Sequence, residues 1–208
     1  MAERDKLKFS EDEDLERARA FWKANGNPII AGILIGVVAI VGYNYWQHHQ
    51  RNQGEEASVL FDQAGDPGQS ISAADTLMAD YSDSPYAALA ALKAAGNSMA
   101  QGQVEEAQNY LNWVLENAKD DGVKHLARLR LASALIENEE AEKAISLLGF
   151  ENKANFEARY HELLGDAYSR LDQTGKAAES YQRSLDSITG PSTARGLIQL
   201  KLENVNET

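Results

Sequence analysis

His161-Glu162 comes nearest to a catalytic motif in this sequence. In His-Glu-x-x-His, two histidines one helical turn apart hold zinc and the glutamate acts as base, but here no second histidine follows. His48-His49 are adjacent, so on a helix they point about 100° apart and read better as solvated interfacial residues than as metal ligands. Asp62, Asp66 and Asp75 surround a glycine-containing loop without the ligand spacing of a calcium hand, which makes a turn the better account. Cysteine is absent, as are Gly-x-Ser-x-Gly and the phosphate-loop pattern Gly-x4-Gly-Lys-Ser/Thr. The chain is therefore expected to be no enzyme and to need no cofactor or metal. Binding surface is the chemistry left to it.

The surface is built from a repeat. Residues 161–185 read HELLGDAYSRLDQTGKAAESYQRSL, which resembles a tetratricopeptide repeat. Leu164, Gly165, Tyr168, Ala177 and Tyr181 stand at its Leu-Gly-x2-Tyr, Ala and Phe positions, with His161 where Trp is usual. Gly165 and Ala177 are small where two helices of a hairpin would cross. Equivalent alanines recur at Ala144, Ala107 and Ala74, accompanied by Leu148, Leu111 and Met78. Four helical hairpins are predicted, the first degenerate, with an insertion around Asp120-Asp121-Gly122. Turns are expected at Gly65-Asp66-Pro67-Gly68, Gly102, Glu139-Glu140 and Thr174-Gly175. After Gly190-Pro191-Ser192, a last helix carrying Leu197, Ile198, Leu200 and Leu202 would cap the stack. The fold class is all-α: one N-terminal transmembrane helix, then a tetratricopeptide-like α-solenoid.

Pro28 to Trp46, PIIAGILIGVVAIVGYNYW, is uncharged and apolar. As a helix it reaches about 28 Å, close to the hydrocarbon thickness of a bilayer. Phe21 and Trp22 before it, and Tyr43, Tyr45 and Trp46 at its end, suit the two lipid interfaces, and no small-residue cleavage site follows, so a retained anchor is expected. Lys8, Arg17, Arg19 and Lys23 precede the span, whereas Arg51 alone lies close after it. The domains expected are a cytoplasmic segment 1–27, an anchor 28–46 and a periplasmic repeat domain 47–208. In the first segment, residues 1–9 read as irregular. Ser10-Glu11-Asp12-Glu13 opens a short amphipathic helix carrying Leu15, Ala18 and Trp22, which stops at Asn25-Gly26-Asn27-Pro28. That helix either lies on the membrane surface or docks to a cytoplasmic protein. Gly32, Gly36 and Ala39 lie on nearly one face of the span and form a candidate packing surface, although glycine is also common in membrane helices.

The part after the span holds 14 Lys/Arg against 25 Asp/Glu, a net charge of −11. Such a surface repels nucleic acid. It either serves solubility alone or favours basic partners. Helical-hairpin stacks bind peptides on the face lined by the first helix of each pair. The groove candidates are Leu89, Leu92 and Met99 in the second unit, Leu126, Leu129 and Ile136 in the third, and Arg159, Glu162, Asp166, Ser169 and Arg170 in the fourth. The competing reading covers the apolar ones with the first hairpin or the terminal helix.

The order of features resembles the YfgM family, the ancillary subunit of the bacterial Sec translocon. The matching residues are Ala20-Phe21-Trp22, Asn25-Gly26, Gly32-Ile33-Leu34-Ile35-Gly36, Gly42 and Tyr45-Trp46. This resemblance implies a single-pass inner-membrane protein beside the Sec translocon channel. Its implied partners are a membrane-anchored periplasmic prolyl isomerase and unfolded exported proteins, which it would help pass to periplasmic chaperones. It further implies a link to a cytoplasmic response regulator, and the alternative function is a regulatory scaffold joining that regulator to envelope machinery.

Overall fold

The computed structural model describes residues 2–66, 68–149, 154–190 and 192–207, and their side chains except at 2–14, 18, 29, 48–50, 52 and 154. Lys8, the cap at 10–13, Ala18, His48, His49, Pro67 and Pro191 lie outside the described side chains. Two compact units divide at Gln53 and Gly54.

Helix α1 spans Ala2–Gln63; its residues up to Gln53 belong to the first unit and the rest to the second. The irregular start and the stop at residues 25–28 are not found. The start reads Ala-Glu-Arg-Asp-Lys-Leu-Lys, mostly strong helix formers. At the expected stop, the bare backbone of Gly26 gives the Trp22 indole a place to lie, 3.4 Å from where a Cβ would stand. Asn25 Nδ2 donates to the Phe21 carbonyl at 3.1 Å. Pro28 removes only one ladder donor. Within α1, Ile30–Gln47 is long and apolar enough to cross a membrane. Ile35 and Val38 are each 70% exposed, a surface that water disfavours and lipid accepts.

In the second unit, the end of α1 joins the core through Ala57, α2 (Ser70–Asp80) packs on α3 (Pro85–Ala100), and α3 pairs with α4 (Val104–Asn117), α5 (Asp121–Glu137) with α6 (Ala141–Leu148), and α7 (Glu157–Arg170) with α8 (Thr174–Ser187). Helix α9 (Thr193–Asn206) follows, and there is no strand among the described residues. Caps set several starts: Ser84 accepts from the Tyr86 N–H with Pro85 in the first turn, and Asp120 Oδ1 accepts from the Val123 N–H at 2.8 Å. No loop is inserted around residues 120–122, where Asp120 caps α5 directly. The longer step from Ala107 to Ala144 crosses two long helices, α4 with 14 residues against 11 in α2 and 8 in α6, and α5 with 17 against 16 in α3 and 14 in α7.

The turns inside the last three hairpins repeat one geometry. Gly102 (φ 76°), Glu139 (φ 63°) and Asp172 (φ 56°) each sit in the left-handed region at mid-turn. Each is followed by a backbone N–H bonding five residues back: Gln103 to Ser98, Glu140 to Leu135 and Gln173 to Tyr168, at 2.8, 2.8 and 3.0 Å. The last turn therefore falls before Thr174-Gly175, which open α8.

Packing follows the same period. Ala95, Ala132 and Gly165 meet the level of Ala107, Ala144 and Ala177, all buried, while Leu111, Leu148 and Tyr181 fill the space one turn further along. A Cβ on Gly165 would come within 2.5 Å of Tyr181 Cδ1 and 2.9 Å of its Cζ.

Candidate functional site

Helices α3, α5 and α7, the first members of their hairpins, form one face because α5 touches both α3 and α7. Their outward side chains fall at i, i+4, i+7 and i+11 and recur with the repeat. The four rows are Leu89, Leu126 and Arg159; Lys93 and Arg130, with Leu163 buried at the equivalent place on α7; Gly96, Ser133 and Asp166; and Ala100, Glu137 and Arg170.

Leu89 and Leu126 are on this face, 36% and 37% exposed. Arg159, Asp166 and Arg170 share it. Leu92, Leu129 and Ile136 instead belong to the core, because a step of three residues from Leu89, Leu126 or Ser133 turns the side chain toward the neighbouring helix. Met99 is half-buried and Ser169 lies at the edge. Lys93, Gly96, Arg130, Ser133 and Glu137 are face residues that the sequence reading passed over; the signal that could have found them is the repeat step applied to Leu89 and Leu126.

Three hollows mark the face. One of about 320 Å³ lies beside Leu89, Pro85, Ala88, Ala118 and Val123. Another of about 280 Å³ is floored by Ala95 and Gly96 and edged by Met99 and Arg130. A third of about 310 Å³ is lined by Ile136, Glu137, Asp166, Ser169, Arg170 and Lys201. The last two meet at Ser133. Arg130 Nη1 donates to the Leu92 carbonyl at 3.1 Å, which ties α5 to α3 across the face.

At the α7 end, Glu162 is buried yet charged. Lys201 Nζ on α9 lies 2.9 Å from Glu162 Oε1 and 2.8 Å from Asp166 Oδ1, and Arg159 Nη1 lies 2.6 Å from Glu162 Oε2. Burial alone would raise the Glu162 pKa, but the hydrogen bonds from Arg159 and Lys201 outweigh it and hold the carboxyl below its ordinary range. Tyr181 Oη donates to Asp166 Oδ1 at 2.8 Å, and burial together with that carboxylate pushes the phenol pKa up. The terminal helix thus fills the polar end of the face with its own lysine. The Leu89 and Leu126 end is left open.

A buried histidine joins the third and fourth units. His125 Nδ1 and Tyr160 Oη share a hydrogen bond of 2.9 Å whose donor is set by the imidazole tautomer, and Arg128 Nη1 donates to the same hydroxyl at 3.4 Å. Phe156 stacks on the ring at 5.2 Å. Burial, reinforced by Arg128 and opposed by Asp121, lowers the His125 pKa below 6.5. The unfolded chain takes up this proton at higher pH than the folded one, so stability is complete above about pH 6.5 and falls as pH drops toward the folded value. Urea midpoints between about pH 7.5 and 5.5 are expected to decline, and His125→Asn is expected to flatten that slope.

This helical stack defines a repeat protein built for interaction, and the chain belongs to the family described as the tetratricopeptide repeat-like domain, matched over residues 19–207. Its similarity extends further, to whole proteins. The ancillary SecYEG translocon subunit of Neisseria gonorrhoeae is 26% identical, over 95% of this chain and 98% of that one. The ancillary SecYEG translocon subunit of Escherichia coli is 28% identical, over 95% and 97%. Among solved structures, MamA 41-end from Desulfovibrio magneticus RS-1 is similar with a TM-score of 0.54 at 16% identity, covering 74% of this chain and 90% of that one, a likeness of fold. The apolar window and the translocon-named relatives together fit an inner-membrane anchor.

Proposed function

We propose that this chain is a non-enzymatic, membrane-anchored adaptor of the Sec translocon. Its N-terminus lies in the cytoplasm and its repeat domain in the periplasm, where the α3–α5–α7 face meets emerging polypeptides and helps pass them to periplasmic chaperones. The observation that carries the reading is the span of the similarity. The ancillary translocon subunits align with anchor and repeats together, over 95% of the chain, rather than with the repeats alone. Tethering suits the task, because it raises the concentration of the face beside the channel without tight binding that would hinder release. The membrane-anchored periplasmic prolyl isomerase fits as a second partner at the same exit, and a response regulator as a ligand of residues 1–27.

Co-purification from mild detergent tests this. The intact chain is expected to bring down translocon subunits, and a version with residues 28–46 replaced by an unrelated anchor to lose them if Gly32 and Gly36 supply the contact. Recovery of signalling or cell-wall proteins with no channel would overturn the assignment.

A further inference from the structure

The second unit is strongly acidic, yet the α3–α5–α7 face is not. Of the 14 cationic residues after the span, Lys93, Arg130, Arg159 and Arg170 stand on it, and Lys201 reaches it from α9. Arg159 and Lys201 are matched by the carboxylates of Glu162 and Asp166. Lys93 lies over the Phe61 ring at 4.0 Å, and Arg130 uses one N–H on the Leu92 carbonyl. Neither they nor Arg170 has a carboxylate partner among the described residues, and the acid that remains on the face is Glu137. Asp62 and Asp66 flank the turn at Gly65 beside Lys93, and further acidic residues lie away from the face, at Asp75, Asp80, Glu105, Glu106 and Glu116 on α2 and α4. At physiological salt, charges more than about 8 Å away are largely screened, so the local cations decide what the face attracts.

The arrangement also sets a spacing. Lys93 and Arg130 occupy equivalent places on successive helices, and packed helices lie about 8–10 Å apart. An extended peptide in the polyproline II form advances about 3.1 Å per residue and presents every third side chain on one side, so side chains three residues apart match that step. Beside the two cations the floor is low: a Cβ on Gly96 would meet no atom within 4 Å, and Ser133 is its small equivalent on α5. Leu89 and Leu126 provide apolar contact one turn away.

We propose that the α3–α5–α7 face binds an extended peptide segment whose acidic side chains, about three residues apart, meet Lys93 and Arg130 while neighbouring apolar residues lie against Leu89 and Leu126. This rests on the adaptor reading for the statement that the occupant is a polypeptide, and it turns the charge preference away from basic partners toward acidic ones.

The test is fluorescence anisotropy with the full chain in a neutral detergent. Three labelled peptides are compared, with glutamates three apart and flanking leucines, with lysines at the same places, and with glutamines. The glutamate peptide is expected to bind about tenfold more tightly than either other. Arg130→Glu is expected to remove that preference. Gly96→Met fills the open floor without a clash and improves helix propensity, so it is expected to block binding while helicity and the urea midpoint hold. Equal binding of all three peptides, preference for lysine, or no effect of either substitution would overturn the proposal. So would a dimer that Gly96→Met dissolves, which would put a second copy on the face. Loss of translocon co-purification with the charge preference intact would sink the Sec assignment alone. The converse result would leave the adaptor in place and remove this ligand.

Discussion

Replacing Lys201 by methionine is expected to lower the stability of the repeat domain by about 2 kcal/mol, seen as a lower urea midpoint with an unchanged slope. Lys201 neutralises Glu162 and Asp166 together, and Glu162 has its side chain 5% exposed. Breaking a buried pair on one side costs about 3–5 kcal/mol, because a desolvated charge is left behind. The lower figure applies here because Arg159 still reaches Glu162 and Lys201 is itself 26% exposed. The pH dependence gives a second signature. With its folded pKa held below 4.5, Glu162 contributes stability above about pH 4.5 that is lost as pH falls through the folded value. Without Lys201 that contribution shrinks, so the variant is expected to lose less on acidification. Adding Glu162→Gln removes the buried charge, and the double variant is expected to recover part of the loss.

Gly165→Ala is expected to cost about 2–3 kcal/mol, although alanine is the better helix former by about 1 kcal/mol. The added methyl would meet Tyr181 ring atoms at 2.5 and 2.9 Å. The ring cannot yield freely, since its hydroxyl is tied to Asp166 at 2.8 Å. Tyr181→Leu in the same chain is expected to relieve the clash. A Gly165→Ala variant as stable as the parent would mean that α7 and α8 do not cross where this account puts them.

The hairpins were legible in the sequence because a close crossing favours Gly or Ala, and Ala107, Ala144 and Ala177, the last facing Gly165, mark one crossing per hairpin. The continuity of α1 was not legible. Asn25-Gly26-Asn27-Pro28 has the composition of a helix stop, and only the indole of Trp22 over Gly26 shows how the helix continues. The site was half legible. Leu89 and Leu92, like Leu126 and Leu129, are equally apolar, so periodicity alone does not tell which leucine turns outward. Lys201 was hidden for a different reason. It pairs with Glu162 from 39 residues away, and no local pattern announces such a contact.

The central claim, that the α3–α5–α7 face receives exported polypeptides, is tested most directly by placing a photo-reactive residue at Leu126 and, separately, at Glu116 on α4, then stalling a secreted protein in the channel. Crosslinks to the stalled chain are expected from Leu126 and not from Glu116. Crosslinks from Glu116 alone, or from neither position while translocon subunits are still captured, would contradict the claim.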